Sequence, residues 1–149
     1  MGRRIGQPPI LRRLVCHVRA ERAIGYDLGF WKETRDSGVA PSAVYRSLID
    51  GHSVDGLATL PIESILSELI AALPGSVRAS LASGLEWIDW DSDDGLSSIQ
   101  IWWSDVHVYV DCRSVSYEIV NRIIEVLAGF GCPLYDPQED KRFDARRTE

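Results

Sequence analysis

Asp50, His52 and Asp55 fall within one six-residue stretch. An imidazole flanked by carboxylates is a donor set for a divalent cation, and equally an acid–base pair for proton transfer. A metal-dependent enzyme would be built there. No second His–carboxylate cluster supports the three in the sequence, and an ordinary surface turn accounts for them. A second cluster is Asp89, Asp91, Asp93, Asp94 and Gly95. A calcium loop of the D-x-D-x-D-G type needs glycine at its sixth position and glutamate at its twelfth. Here those positions hold Asp94 and Gln100, and the flanking segments read as strands. Asp and Gly as turn formers at a solvated hairpin tip explain the cluster without a cation. His107 and Cys112 carry a base and a thiol, but five residues apart on one strand they face opposite ways. The chain holds no G-x-S-x-G elbow, P-loop, dinucleotide fingerprint or H-E-x-x-H. The residues therefore point to a non-catalytic protein with no cofactor.

The aromatic residues carry more. Trp87, Trp90, Trp102 and Trp103 lie within 17 positions of one another, close to most of the acids just named. Adjacent Trp102 and Trp103 on a strand must point to opposite sides, so one can be core while the other faces outward. Trp and Tyr edged by acids make typical anchors of a protein interface. The candidate contact residues are Glu86, Asp89, Trp90, Asp91, Asp93, Asp94, Trp102 and Tyr109. His107 is a further candidate, as a pH-sensitive surface group.

The elements that must position these residues follow from periodicity. Residues 26–31, Tyr-Asp-Leu-Gly-Phe-Trp, alternate as a strand does. A helix is expected over 41–49, stopped by Gly51. A second is expected from Pro61, with Thr59 as its cap and Ile62, Ile65, Leu66, Leu69, Ile70 and Leu73 on one face. Residues 76–84 read as a connector or a brief helix. Strands follow at 85–91, 98–104 and 106–112. In the last, Val106, Val108, Val110 and Cys112 face one way and His107, Tyr109 and Asp111 the other. A helix capped by Ser114 then runs to about Gly129, and a closing strand spans 132–135. The order β-α-α-β-β-β-α-β implies an α+β fold: an antiparallel sheet with helices packed on one face, a ferredoxin-like variant.

The chain of 149 residues fits one domain, expected over 25–138. Nothing in it is long and apolar enough to span a membrane. Three widely spaced cysteines, Cys16, Cys112 and Cys132, form no metal-type pair and read as free thiols in a reducing cytoplasm, with a Cys112–Cys132 disulfide open only if their strands are neighbours. Charge is uneven. Residues 1–24 carry +5, residues 25–140 carry −13 and residues 141–149 carry +2, within a total of −6. An acidic body repels nucleic acid and attracts basic proteins. Nucleic acid is expected only through the Arg-rich segment 1–24, a basic and dispensable arm with a short helix over 11–20. Residues 139–149 are expected to form a charged tail.

Tyr-Asp-Leu-x-Phe-Trp at 26–31, Leu-Ile-Asp-Gly at 48–51, Leu-Pro-Ile-Glu at 60–63, Val-Asp-Cys at 110–112 and Gly-Cys-Pro-Leu-Tyr-Asp-Pro-Gln at 131–138, followed by Arg142-Phe143, resemble a family of small bacterial proteins, loosely of the toxin-immunity type. The resemblance runs from Tyr26 to Phe143, and such proteins often begin near the position of Tyr26. It implies binding and not catalysis, and it brings no site residues. The expected function is a cytoplasmic protein-binding module that neutralises a basic toxin through an acidic, aromatic surface. The alternatives are the metal-dependent enzyme at Asp50, His52 and Asp55, and a nucleic-acid-associated module using the basic arm.

Overall fold

Alternation decides which side of each strand is buried, and the register shows where those sides meet. The computed structural model describes residues 25–35 and 38–143. The basic arm with its expected helix and Cys16, and residues 144–149, lie outside the described residues. The strands are β1 (Gly25–Trp31), β2 (Val77–Ser80), β3 (Glu86–Asp91), β4 (Ser98–Trp103), β5 (His107–Arg113), β6 (Leu134–Asp136) and β7 (Lys141–Phe143). The helices are α1 (Pro41–Ile49), α2 (Ile62–Ala72) and α3 (Tyr117–Gly129). All strands pair antiparallel in one seven-stranded sheet of order β2-β3-β4-β5-β1-β6-β7. The fold is α+β, with two strands more than the five expected of the ferredoxin-like variant.

One face of the sheet carries the main core. Tyr26, Leu28 and Phe30 of β1, Val108, Val110 and Cys112 of β5, and Ile99 and Ile101 of β4 meet Ile65, Leu66 and Leu69 of α2 and Ile123, Ile124 and Leu127 of α3. The i, i+3, i+4 spacing in both helices turns an apolar stripe onto that face. Trp90 and Trp103 pack against the same core.

The expectation that every helix lies on one face is corrected by α1. Its buried residues, Val44 and Leu48, pack with Trp31 and Tyr135 in a second cluster. Trp31 alternates with Phe30 along β1, so it points away from the main core. Gly29 has the same parity, and the ring of Tyr45 fills the space its missing side chain leaves: a Cβ there would lie 2.9 Å from Tyr45 Cδ1. The helix docks where the sheet lacks a side chain.

Several boundaries also move. Residues 76–84 contain β2, paired in register with β3, where a connector or helix was expected. The sheet continues past residue 138, since β7 places Phe143 in the core at 8% exposure. Pro61, not Thr59, occupies the cap position of α2. Ser116, not Ser114, precedes α3; Ser114 has φ +54 and makes the turn out of β5, its carbonyl accepting from Ser97 Oγ at 2.6 Å. Cys112 and Cys132 are free and buried, and burial pushes the Cys132 thiol up to about 11. No helix among the described residues is long and apolar enough to cross a membrane.

Candidate functional site

Among the described residues, the sheet face opposite the main core is covered by α1 only at its β1–β6 end. Over β3, β4 and β5 it carries two parallel rows of side chains. In the first, Trp87 stacks on Trp102, with centroids 5.2 Å apart and planes 25° from parallel. Trp102 pairs in register with Tyr109, Tyr109 with Gly29, and Gly29 with Tyr135. Tyr45 bridges the glycine gap, its centroid 6.3 Å from Tyr109 and 5.3 Å from Tyr135. Five aromatic rings therefore cross the sheet in file, and Trp87, Trp102, Tyr109 and Tyr45 are only half-buried.

The second row lies two residues along each strand: Asp89 opposite Gln100, Gln100 opposite Asp111, Asp111 opposite Asp27. Asp89 is fixed in place, accepting from Trp87 Nε1 at 2.8 Å and from Gln100 Nε2 at 3.0 Å. Asp27 is held through its backbone by the Gln138 side chain, which accepts from its N–H at 2.7 Å and donates to its carbonyl at 2.9 Å. Directly opposed residues on antiparallel strands bring their Cβ atoms to about 5 Å, and like charges there repel. Burial first, and then the Asp27 carboxylate, raise the pKa of Asp111, while Arg113 opposes them. Burial first, and then Asp27, likewise push the Tyr109 phenol up, so it remains a protonated donor beside the carboxylates.

The structure divides the residues singled out from sequence. Asp89, Trp102 and Tyr109 come together on this face, and Asp91 ends β3 on the same side, opposite Ser98. Trp90 does not join them. It shares parity with Ile88, packs on the main core and donates from Nε1 to the Pro74 carbonyl at 3.1 Å. Glu86 also lies with the core-facing parity and accepts from Arg78 Nε at 2.9 Å, while Arg78 reaches Glu63 of α2 through a two-pronged pair at 2.9 and 3.1 Å. Asp93 and Asp94 sit at the exposed β3–β4 hairpin tip, where Asp94 accepts from Ser92 Oγ at 2.6 Å and from Leu96 N–H at 2.9 Å. Those bonds hold its carboxyl below the usual range, as turn chemistry requires.

Asp50, His52 and Asp55 are all exposed on the loop after α1. Among the described residues no group of three or more His, Cys, Asp or Glu side chains is arranged to hold a metal ion. His107, expected as a pH-sensitive surface group, is instead half-buried beside Trp31, opposite Cys112 in parity, with Nδ1 sharing a 2.7 Å hydrogen bond with the Ser104 hydroxyl. Burial pushes its pKa down to about 4.

Sequence reasoning missed Asp27, Trp87, Gln100, Asp111 and Tyr45 as members of this surface. The signal for the strand residues was parity: each occupies the position alternate to the core residues of its strand. Only the register shows that they share two rows. No protein-family model matches the chain and no curated protein matches it, so the reading of the site rests on its geometry.

Proposed function

We propose that this chain is a non-catalytic binding module of the immunity type, capturing a basic protein, a toxin in this reading, on the open half of its sheet in the cytoplasm. The observation that carries the reading is the pairing of two rows on a face that no other element among the described residues covers: stacked aromatics beside closely held carboxylates. Half-buried Trp and Tyr rings supply large contact area at low ordering cost, as interface anchors do. The carboxylates select a cationic partner and speed its approach. The opposed Asp27 and Asp111 pair costs stability in the free protein, and a guanidinium or ammonium set against it would relieve the repulsion. Stability sacrificed at a surface patch is a mark of function elsewhere in proteins.

The test is capture by the full chain from its source cells, with three variants beside it. Wild type should retain one basic protein in stoichiometric amount. Trp102→Ala and Asp111→Asn should each lose most of it. Glu125→Gln, exposed on α3 across the sheet, should retain it fully. Equal retention by wild type, Trp102→Ala and Asp111→Asn would remove the open face from the interaction.

A further inference from the structure

An open groove of about 440 Å³ lies between α1 and the turn joining β6 to β7. Its walls include Tyr45, Arg46 and Ile49 from the helix and Tyr135, Pro137 and Asp140 from the other side. The volume falls in the range of small-molecule sites. Three features give it a definite chemistry. The first is its aromatic wall: Tyr45 and Tyr135 stand 5.3 Å apart between centroids, tilted by 46°, and Tyr135 is only 2% exposed. The second is an oriented acceptor. Asp140 accepts from the Tyr135 hydroxyl through Oδ1 at 2.7 Å, leaving Oδ2 for another donor. Its backbone sits at φ +53, a left-handed conformation uncommon outside glycine and held only where the surroundings fix it. The third is an exposed cation with no anion beside it among the described residues. Arg46 stands in the last turn of α1 and makes no ion pair among the described residues.

A groove that offers a guanidinium, an oriented carboxylate and a half-buried tyrosine ring is complementary to a molecule carrying the opposite set. We propose that it binds a small zwitterion with a planar side chain, an aromatic α-amino acid, its carboxylate on Arg46, its ammonium on Asp140 and its ring against Tyr45. The planar guanidinium fork matches a carboxylate in two parallel hydrogen bonds. The ammonium meets a carboxylate whose other oxygen is already fixed by the Tyr135 hydroxyl. Exposed Ile49 adds an apolar rim. The site adjoins the proposed partner face, since Tyr45 and Tyr135 belong to both, so an occupied groove would fix the ring that bridges the aromatic row.

The test is calorimetric titration of the full chain with L-phenylalanine, and with phenethylamine and 3-phenylpropionate, which each keep one charge. L-Phenylalanine should saturate the protein, and each half-ligand should bind at least about tenfold more weakly. Arg46→Gln should bind L-phenylalanine no better than wild type binds phenethylamine. Asp140→Asn, which tolerates the left-handed backbone, should bind it no better than wild type binds 3-phenylpropionate. No saturation with L-phenylalanine up to about 10 mM, a range that would detect binding of about 3 kcal/mol, would overturn the proposal. So would equal affinity for all three compounds, or binding that both variants leave unchanged.

Discussion

His107 shows how one half-buried residue is tied to the fold. It pairs in register with Trp31, its Nδ1 is engaged by Ser104, and burial lowers its pKa from 6.5 to about 4. The folded protein therefore keeps the ring neutral where the unfolded chain would protonate it. Between those two values the unfolded state binds more protons, so stability rises with pH across the window. The stabilisation is fully present above pH 6.5 and is lost as pH falls toward 4. One pKa unit is worth about 1.4 kcal/mol, which makes the full loss on the order of 3 kcal/mol. Asp111 acts with the opposite sign, since its raised pKa favours the folded state at low pH. The difference between wild type and His107→Gln isolates the histidine. In urea unfolding at stepped pH, the wild type should lose more stability than the variant on descending from pH 6.5 to 4, and the two should run parallel above that window.

At the scale of elements, α1 is the least secured helix. It rests on a cluster of four buried residues, Trp31, Val44, Leu48 and Tyr135, whereas α2 and α3 share the main core. Gly29→Ala tests this seating. The new Cβ would stand 2.9 and 3.0 Å from Tyr45 Cδ1 and Cε1, too close for either ring atom, so the ring must move and the helix with it. A destabilisation of about 1–3 kcal/mol is expected, as for overpacking in a tight core. Amide hydrogen exchange should show the loss concentrated in α1, with α2 and α3 protected as before. A variant whose exchange accelerates uniformly would mean that α1 opens only with the whole domain. The helix itself was plain in the sequence, from Pro41 and the spacing of Val44 and Leu48, but its side of the sheet was not. That depended on Gly29 and Trp31 sharing parity, and on which strands flank β1. The same limit hid β2 and β7. Val77-Arg78-Ala79-Ser80 and Lys141-Arg142-Phe143 are too short and polar to announce strands. They are strands because a neighbour offers its edge. Arg142 fastens the second of these, its guanidinium 4.3 Å above the Trp31 ring while it donates to the Trp31 carbonyl at 2.6 Å and pairs with Glu33.

Among the described residues the sheet divides the labour: one face is filled by two helices and the other is left half open. The acidic body was legible from the net charge of −13 over residues 25–140. Its concentration into a row was not, because Asp27 and Asp111 are 84 positions apart in the chain and become neighbours only through β1–β5 pairing. That distribution makes a kinetic prediction for capture of a basic partner. Charge acts over distances set by screening, about 10 Å at 0.1 M salt and about 3 Å at 1 M. In the proposed complex the acids would therefore act chiefly on approach, whereas the stacked Trp87–Trp102 pair would act only in contact. Raising salt from about 0.01 to 0.5 M should slow association by about tenfold or more and leave dissociation nearly unchanged. Trp102→Ala should do the reverse, accelerating dissociation by about tenfold or more while association keeps its salt dependence. Surface plasmon resonance on the captured protein separates the two rates. A salt effect confined to dissociation would mean that the carboxylates are buried at the interface as paired charges and steer nothing, which would move the anchor of the complex from the tryptophans to Asp27 and Asp111.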